Sequence, residues 1–316
     1  MGAPTPTNAP HEERGSPPVL PASPEMPRPA TPPAPIAAPP RRRTTSTALI
    51  IAVVAIVILV PVMLCVGAAM FTGFGGLLVS RQAHETATSN FQFAVSDHPT
   101  ITIFDTAGQV TVTKGATQQV KVAATKHARA WTSASARDVL KTMTVTAVPV
   151  ADGARINADI GQNAPFSQRT VDLRITVPQT SDLRVTLRAG TVTIASITGT
   201  IHLAADAGTV DLRDVVAQGA TTLKVATGTL NMRGALANGS DVTATVATGN
   251  ANIWLPSTSA THLTASTSVG SIAVTPWAAT IQHSGTGQST ALDLNPQPTS
   301  TLTAHVDVGS IKITGQ

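Results

Sequence analysis

Val225–Met232 reads "VATGTLNM", and 21 positions further on Val246–Ile253 reads "VATGNANI". Each stretch is a Val-Ala-Thr-Gly run followed by apolar residues at alternate positions. The pattern recurs as "FDTAGQVTV" at Gly108, "TLRAGTVTI" at Gly190, "AADAGTVDL" at Gly208 and "KVATGTLNM" at Gly228. It continues as "TVATGNANI" at Gly249, "STSVGSIAV" at Gly270 and "HVDVGSIKI" at Gly309. From Gly190 to Gly270 the spacings are 18, 20, 21 and 21 residues, and the interval to Gly309 is 39. A fixed period near twenty is the mark of stacked repeats. The 39-residue interval is about two periods, so one decorated coil is expected within it.

Two and four positions after each glycine the residues are apolar, as in Val192 and Ile194 or Leu230 and Met232. Polar residues mostly separate them, the period-two mark of a half-buried strand. Before the glycine, apolar residues fall three, five and seven positions back, as in Val306, Ala304 and Leu302. From three before to two after is an odd step, which in a straight strand puts the two sets on opposite faces. Both sets face one core only if the chain turns at the glycine, the residue that admits positive φ and close backbone approach. The expected unit is therefore strand, Gly corner, strand. The expected fold is all-β, a two-sheet, β-solenoid-like stack with corners at Gly108, Gly190, Gly208, Gly228, Gly249, Gly270 and Gly309.

The run "VDLRITVPQTSDLRVTLRAGTVTIASITGTIHLAADAGTVDL" resembles the bacterial putative-adhesin family of β-strand repeat proteins, a domain of unknown function. The shared marks are a strand ending in Val177 and Pro178, then Gly-Thr/Ser-apolar-x-apolar units in series. The resemblance spans roughly Ala87 to Gln316. It implies a membrane-anchored envelope protein and assigns no catalytic or ligand residue.

Composition agrees with strands. The chain of 316 residues is 42% hydrophobic but only 3% aromatic, has no Tyr, and is rich in Thr, Val and Ala. A pI of ≈ 9.7 raises the question of nucleic acid. Yet residues 1–47 and 81–316 each carry a net charge of only +2, without a basic stripe interleaved with aromatics, so no nucleic-acid partner is expected.

Residues 1–40 hold 14 of the 23 prolines and almost no core-forming material, so residues 1–47 are expected to be a disordered, cytoplasmic, Pro-rich tail. No charged residue follows Arg43 until Arg81. Within that gap Ala48–Met70, "ALIIAVVAIVILVPVMLCVGAAM", is long enough as a helix, about 34 Å, to cross a ~30 Å hydrocarbon core. Its long leading region favours an uncleaved anchor over a signal peptide. Arg41, Arg42 and Arg43 sit immediately before the span and hold that end in the cytoplasm. Residues 71–86 are read as a linker and 87–316 as an extracytoplasmic β-repeat domain. Cys65, the sole cysteine, is a packing residue of the span, and the domain has no disulfide. "SARDVLKTM" is expected to form one short helix capped by Ser135.

The acids are dispersed. Asp172, Asp182 and Asp211 alternate with apolar residues as outward strand positions, and Asp211 and Asp214 flank Arg213 in "DLRD", a solvated edge. His202, His262, His283 and His305 are expected on the surface. Trp254 and Trp277 follow repeat strands and are expected to pack the end of the stack. No nucleophile motif occurs. The expectation is no enzyme, no cofactor and no metal. The domain is then an adhesion, interaction or structural module of the cell envelope, with wall polymer or another envelope protein as partner. The rival is an accessory in envelope-stress signalling, the domain sensing and the tail reporting inside.

Overall fold

The computed structural model describes residues 83–116, 118–161 and 167–316. The tail, the Arg41–Arg43 triplet and the Ala48–Met70 span with Cys65 lie outside the described residues. Among the described residues no helix is long and apolar enough to cross a membrane.

The chain runs through β1 (Ala83–Ala94), β2 (Thr100–Lys114), β3 (Gln119–Ala130), helix α1 (Ser133–Thr142), β4 (Thr144–Val150), β5 (Gly153–Asp159) and β6 (Gln168–Val177). The repeats follow as β7 (Asp182–Ala195), the two-residue β8 (Thr198–Gly199), β9 (Ile201–Ala217), β10 (Ala220–Leu236), β11 (Asp241–Leu255) and β12 (Thr261–Thr275). Then come β13 (Gln282–Ser284), β14 (Gly287–Asp293) and β15 (Ser300–Gly315). Among the described residues the fold is all-β with one helix, and their strands make a single sheet of mixed direction.

Seven strands carry the corner glycines, and they lie side by side in parallel. Their order is β2, β7, β9, β10, β11, β15, β12. In that order Gly108, Gly190, Gly208, Gly228, Gly249, Gly309 and Gly270 are register partners. Each has φ between 135 and 147°, a conformation that side-chain-bearing residues rarely adopt. The odd step across the glycine is present in every burial pattern. In β9, Ile201, Leu203 and Ala205 are buried before Gly208, and Val210 and Leu212 after it. Both sets belong to one core, since all five residues join the same cluster of buried side chains. Fully burying a Leu, Ile or Val side chain is worth ~1.5–3 kcal/mol, so the rows of such residues along both arms supply the main driving force.

The unit order departs from expectation. β15, last in the chain, is inserted between β11 and β12, so the stack does not follow chain order. The 39-residue interval holds no further coil of the ladder. β14 runs antiparallel to β12 and β13 pairs only with β14, closing that side of the sheet. The segment has no Gly corner with its apolar pairs, so it has nothing to join the ladder with. β13 is only three residues long and wholly exposed, which limits edge-to-edge pairing.

At the other side β2 splits its pairing. Thr100–Asp105 pairs with β5 and Val110–Lys114 with β6, while β4 continues from β5 and β3 and β1 continue from β6. β1 begins at Ala83, inside the segment assigned above to the linker; "AHETATS" has no apolar alternation and is held by backbone pairing to β3. α1 packs on β1 and β3, buries Ala136 and Val139, and its Arg137 pairs with Glu85 at 3.4 Å. Its cap is Thr132 rather than Ser135. The Thr132 hydroxyl accepts from the Ser135 N–H, so Ser135 is the capped residue and the helix starts a turn earlier.

Candidate functional site

Parallel, in-register strands line up their outward side chains as strictly as their buried ones. After the corner, one outward row reads Thr193, Asp211, Asn231, Asn252, Lys312 and a second reads Ala195, Arg213, Arg233, Trp254, Thr314. Where the two rows cross β9, β10 and β11 they line a groove of ≈ 380 Å³. Asp211, Arg213, Asp214, Asn231, Arg233 and Trp254 form its walls.

Each wall residue has a definite position. Arg213 Nε donates to Asp211 Oδ2 at 2.9 Å, and its Nη2 reaches the same oxygen. This carboxylate raises the already high pKa of Arg213 further. Asn252 donates from Nδ2 to Asn231 Oδ1 at 2.9 Å, one rung of an amide ladder across two strands. The Arg233 guanidinium lies over the Trp254 ring, 5.6 Å from its centroid. Asp214 has φ 51° and is skipped by the ladder, because Arg233 pairs with Arg213 and Gly234 with Val215. It is a bulge residue, and a bulge re-aims side chains locally. A second groove of ≈ 340 Å³, which includes Val215, Ala235 and Pro256, adjoins the first and shares Asp214 and Arg233 with it.

The remaining sequence-singled residues fall elsewhere. The seven glycines form one row across the sheet, and a Cβ at any of them would overlap the backbone of the neighbouring strand. Asp172 accepts the Gln109 N–H at 3.2 Å and pairs with His127 at 3.2 Å. Asp182 accepts the Thr200 N–H at 2.7 Å. His262 meets Asp293 at 2.6 Å, His305 bridges Ser266 and Asp307 at 2.8 Å each, and His283 meets Gln288. Among the described residues no group of three or more His, Cys, Asp or Glu is placed to hold a metal. The two tryptophans separate. Trp277 packs against the core and close to Gly315, but Trp254 stands within the ladder, between Arg233 and Thr314, and not at its end.

Asp105 went unremarked in the sequence. It is fully buried, at the register position occupied by Leu187, Ala205, Val225, Val246 and Val306 in other units. Its Oδ1 accepts the Ala107 N–H at 3.3 Å, and its Oδ2 has no hydrogen-bond partner among the described residues. Burial pushes its pKa up to about 7, with the nearby Asp172 adding to the rise. Alignment on the glycines already places this acid in an apolar column.

No family model matches the chain, and no curated protein does. Solved structures do. A putative cell adhesion protein from Clostridium sporogenes is matched over 73% of this chain and 100% of its own, with 11% identity and a TM-score of 0.43. A putative adhesin from Bacteroides fragilis is matched over 72% and 97%, with 12% identity and a TM-score of 0.30. One from Parabacteroides merdae is matched over 72% and 95%, with 8% identity and a TM-score of 0.24.

Proposed function

We propose that the chain is a single-pass, membrane-anchored envelope protein whose β-repeat domain is a rigid, non-catalytic interaction module of the adhesin kind. In this reading the single sheet bends along the glycine row, so that its two arms face each other as the layers of a β-solenoid-like stack outside the cell. Ala48–Met70 spans the membrane, and residues 1–47 stay inside. The observation that carries the reading is the in-register outward face. Hydrogen bonds such as Asn252 to Asn231 and Ser310 to Asn250 (2.7 Å) fix polar side chains in rows across several strands. A pre-ordered polar face loses little side-chain entropy when it meets a partner. Asp211 is engaged by Arg213, which suits a binding wall better than a pair of acids free for proton transfer.

The test is adhesion of cells displaying the full chain to surfaces coated with cell-wall polymer, against cells displaying Gly228→Val and cells lacking residues 1–40. Adhesion conferred by the full chain, lost with Gly228→Val and kept without the tail supports the module. No adhesion by the full chain overturns it, and an envelope-stress response that fails without residues 1–40 supports the signalling rival.

A further inference from the structure

We infer that the groove walled by Asp211, Arg213, Asp214, Asn231, Arg233 and Trp254 binds a segment of uncharged glycan. This deepens the interaction-module reading and rests on it.

Four observations carry it. First, the groove is ≈ 380 Å³ and continues into a neighbour of ≈ 340 Å³, the lower part of the size range of small-ligand clefts. Joined through Asp214 and Arg233, the two form one continuous track along β9 and β10. Second, Trp254 is the one aromatic wall, and Arg233 on its ring fixes its orientation. The part of the half-buried indole that Arg233 leaves uncovered offers a flat apolar surface to the C–H face of a pyranose, while a sugar's hydroxyls remain for the polar walls. Third, those walls supply both donors and acceptors. Asn231 uses only its amide oxygen on Asn252 and keeps both hydrogens of its NH2, Arg233 adds N–H donors, and Asp214 adds a carboxylate acceptor. Fourth, the bulge at Asp214 turns a carboxylate out of the ladder at the point where the two grooves meet.

Charge and backbone chemistry exclude the other partners. Two Asp and two Arg leave the groove formally neutral, with Asp211 and Arg213 already paired, so a polyanion finds no excess positive charge. A peptide added as a strand needs unpaired backbone groups at a sheet edge. Here β9, β10 and β11 are each paired on both sides, and only side chains face outward.

The test uses the full chain in lipid nanodiscs, with calorimetric titration of tetrasaccharides of glucose, mannose, galactose and N-acetylglucosamine. A galacturonate tetrasaccharide is the charged comparator. Saturable binding of one neutral tetrasaccharide, weakened about tenfold or more by Trp254→Ala and by Asn231→Ala, is expected. Trp254→Phe keeps a flat ring and should retain part of the affinity, guarding against a folding defect in the Ala variant. Thr193→Ala lies in the Asn231 row two strands away and should bind as wild type. Binding of no neutral tetrasaccharide, tighter binding of galacturonate, or wild-type affinity in both Trp254→Ala and Asn231→Ala overturns the inference. The adhesion assay separates the two levels, because cells that adhere equally well with Trp254→Ala leave the module reading intact and remove the groove from it.

Discussion

A Cβ built on Gly249 would lie 1.8 Å from the carbonyl oxygen of Gly228, its register partner on the adjacent strand. Gly228 stands in the same relation to Gly208, and Gly208 to Gly190. The corner is therefore closed to any side chain twice over, by a φ of 140° at Gly228 and by the carbonyl packed against it.

That relation predicts that even Gly228→Ala, and more so Gly228→Val, destabilises the folded domain. Positive φ alone costs a residue with Cβ ~1–2 kcal/mol, and the backbone overlap adds to it. The expected loss is ~3–5 kcal/mol, a large part of a typical stability of ~5–15 kcal/mol. Thr229→Val, one position on and only half-buried, should stay within ~0.5 kcal/mol. Denaturant melts of the variants measure both, and equal losses would mean that the glycine does not make the corner.

The burial of both apolar sets in one core was legible, because the odd step between them calls for an unusual backbone conformation at the glycine, where φ is 135–147°. The slot of each unit was not. β15 carries the same Gly-Ser-Ile pattern as β12, and no residue in either says that β15 lies between β11 and β12. Residues 276–299 were opaque for a related reason, since short strands paired antiparallel leave little periodicity. The groove is half visible in the sequence, where "DLRD" marks Asp211, Arg213 and Asp214 and Trp254 follows a repeat strand. Their meeting depends on register across three strands and on the bulge at Asp214, and neither is a local property of sequence.

Asp105 predicts a pH dependence of unusual sign for a carboxylate. Its pKa is about 7 when folded and near the ordinary 3.8 when unfolded. Between these values the unfolded chain binds fewer protons than the folded one, so this residue's contribution to stability is full below about pH 4 and declines as pH rises to about 7. Above that it is level. The loss is ~4 kcal/mol at most, at about 1.4 kcal/mol for each pKa unit. Asp105→Asn should flatten the slope of unfolding free energy across pH 4–7 and raise stability at pH 8. An unchanged slope in the variant would show that Asp105 is not the group responsible.

The proposed membrane anchoring and its orientation are checked with the last residue. Gln316 is exposed beyond β15, and Cys65→Ser removes the only native thiol. In the Cys65→Ser background, Gln316→Cys should react with a membrane-impermeant thiol reagent on intact cells. Labelling only after lysis would reverse the orientation inferred from Arg41–Arg43.

The position of β15 makes the last prediction. In a stack built in chain order the final unit is a terminal one, and removing it exposes a single new edge. Here β15 is bonded to β11 on one side and β12 on the other, and Val306, Ala304 and Leu302 complete core rows from both. Deleting residues 300–316 therefore detaches β12, β13 and β14 from the sheet as well, because among the described residues β12 has no ladder neighbour besides β15 and β14. The truncated chain should lose protection over the whole region after Leu255, and not merely fray at its new end. Native-state hydrogen exchange reads this directly. In the full chain, amides of β15 should be among the slowest to exchange although they lie at the C-terminus, while those of β13 exchange quickly. After truncation, β12 should exchange as fast as β13. Retained protection in β12 would mean that it can pair with β11 in place of β15, and the insertion of β15 would then be one of two workable arrangements of the same ladder.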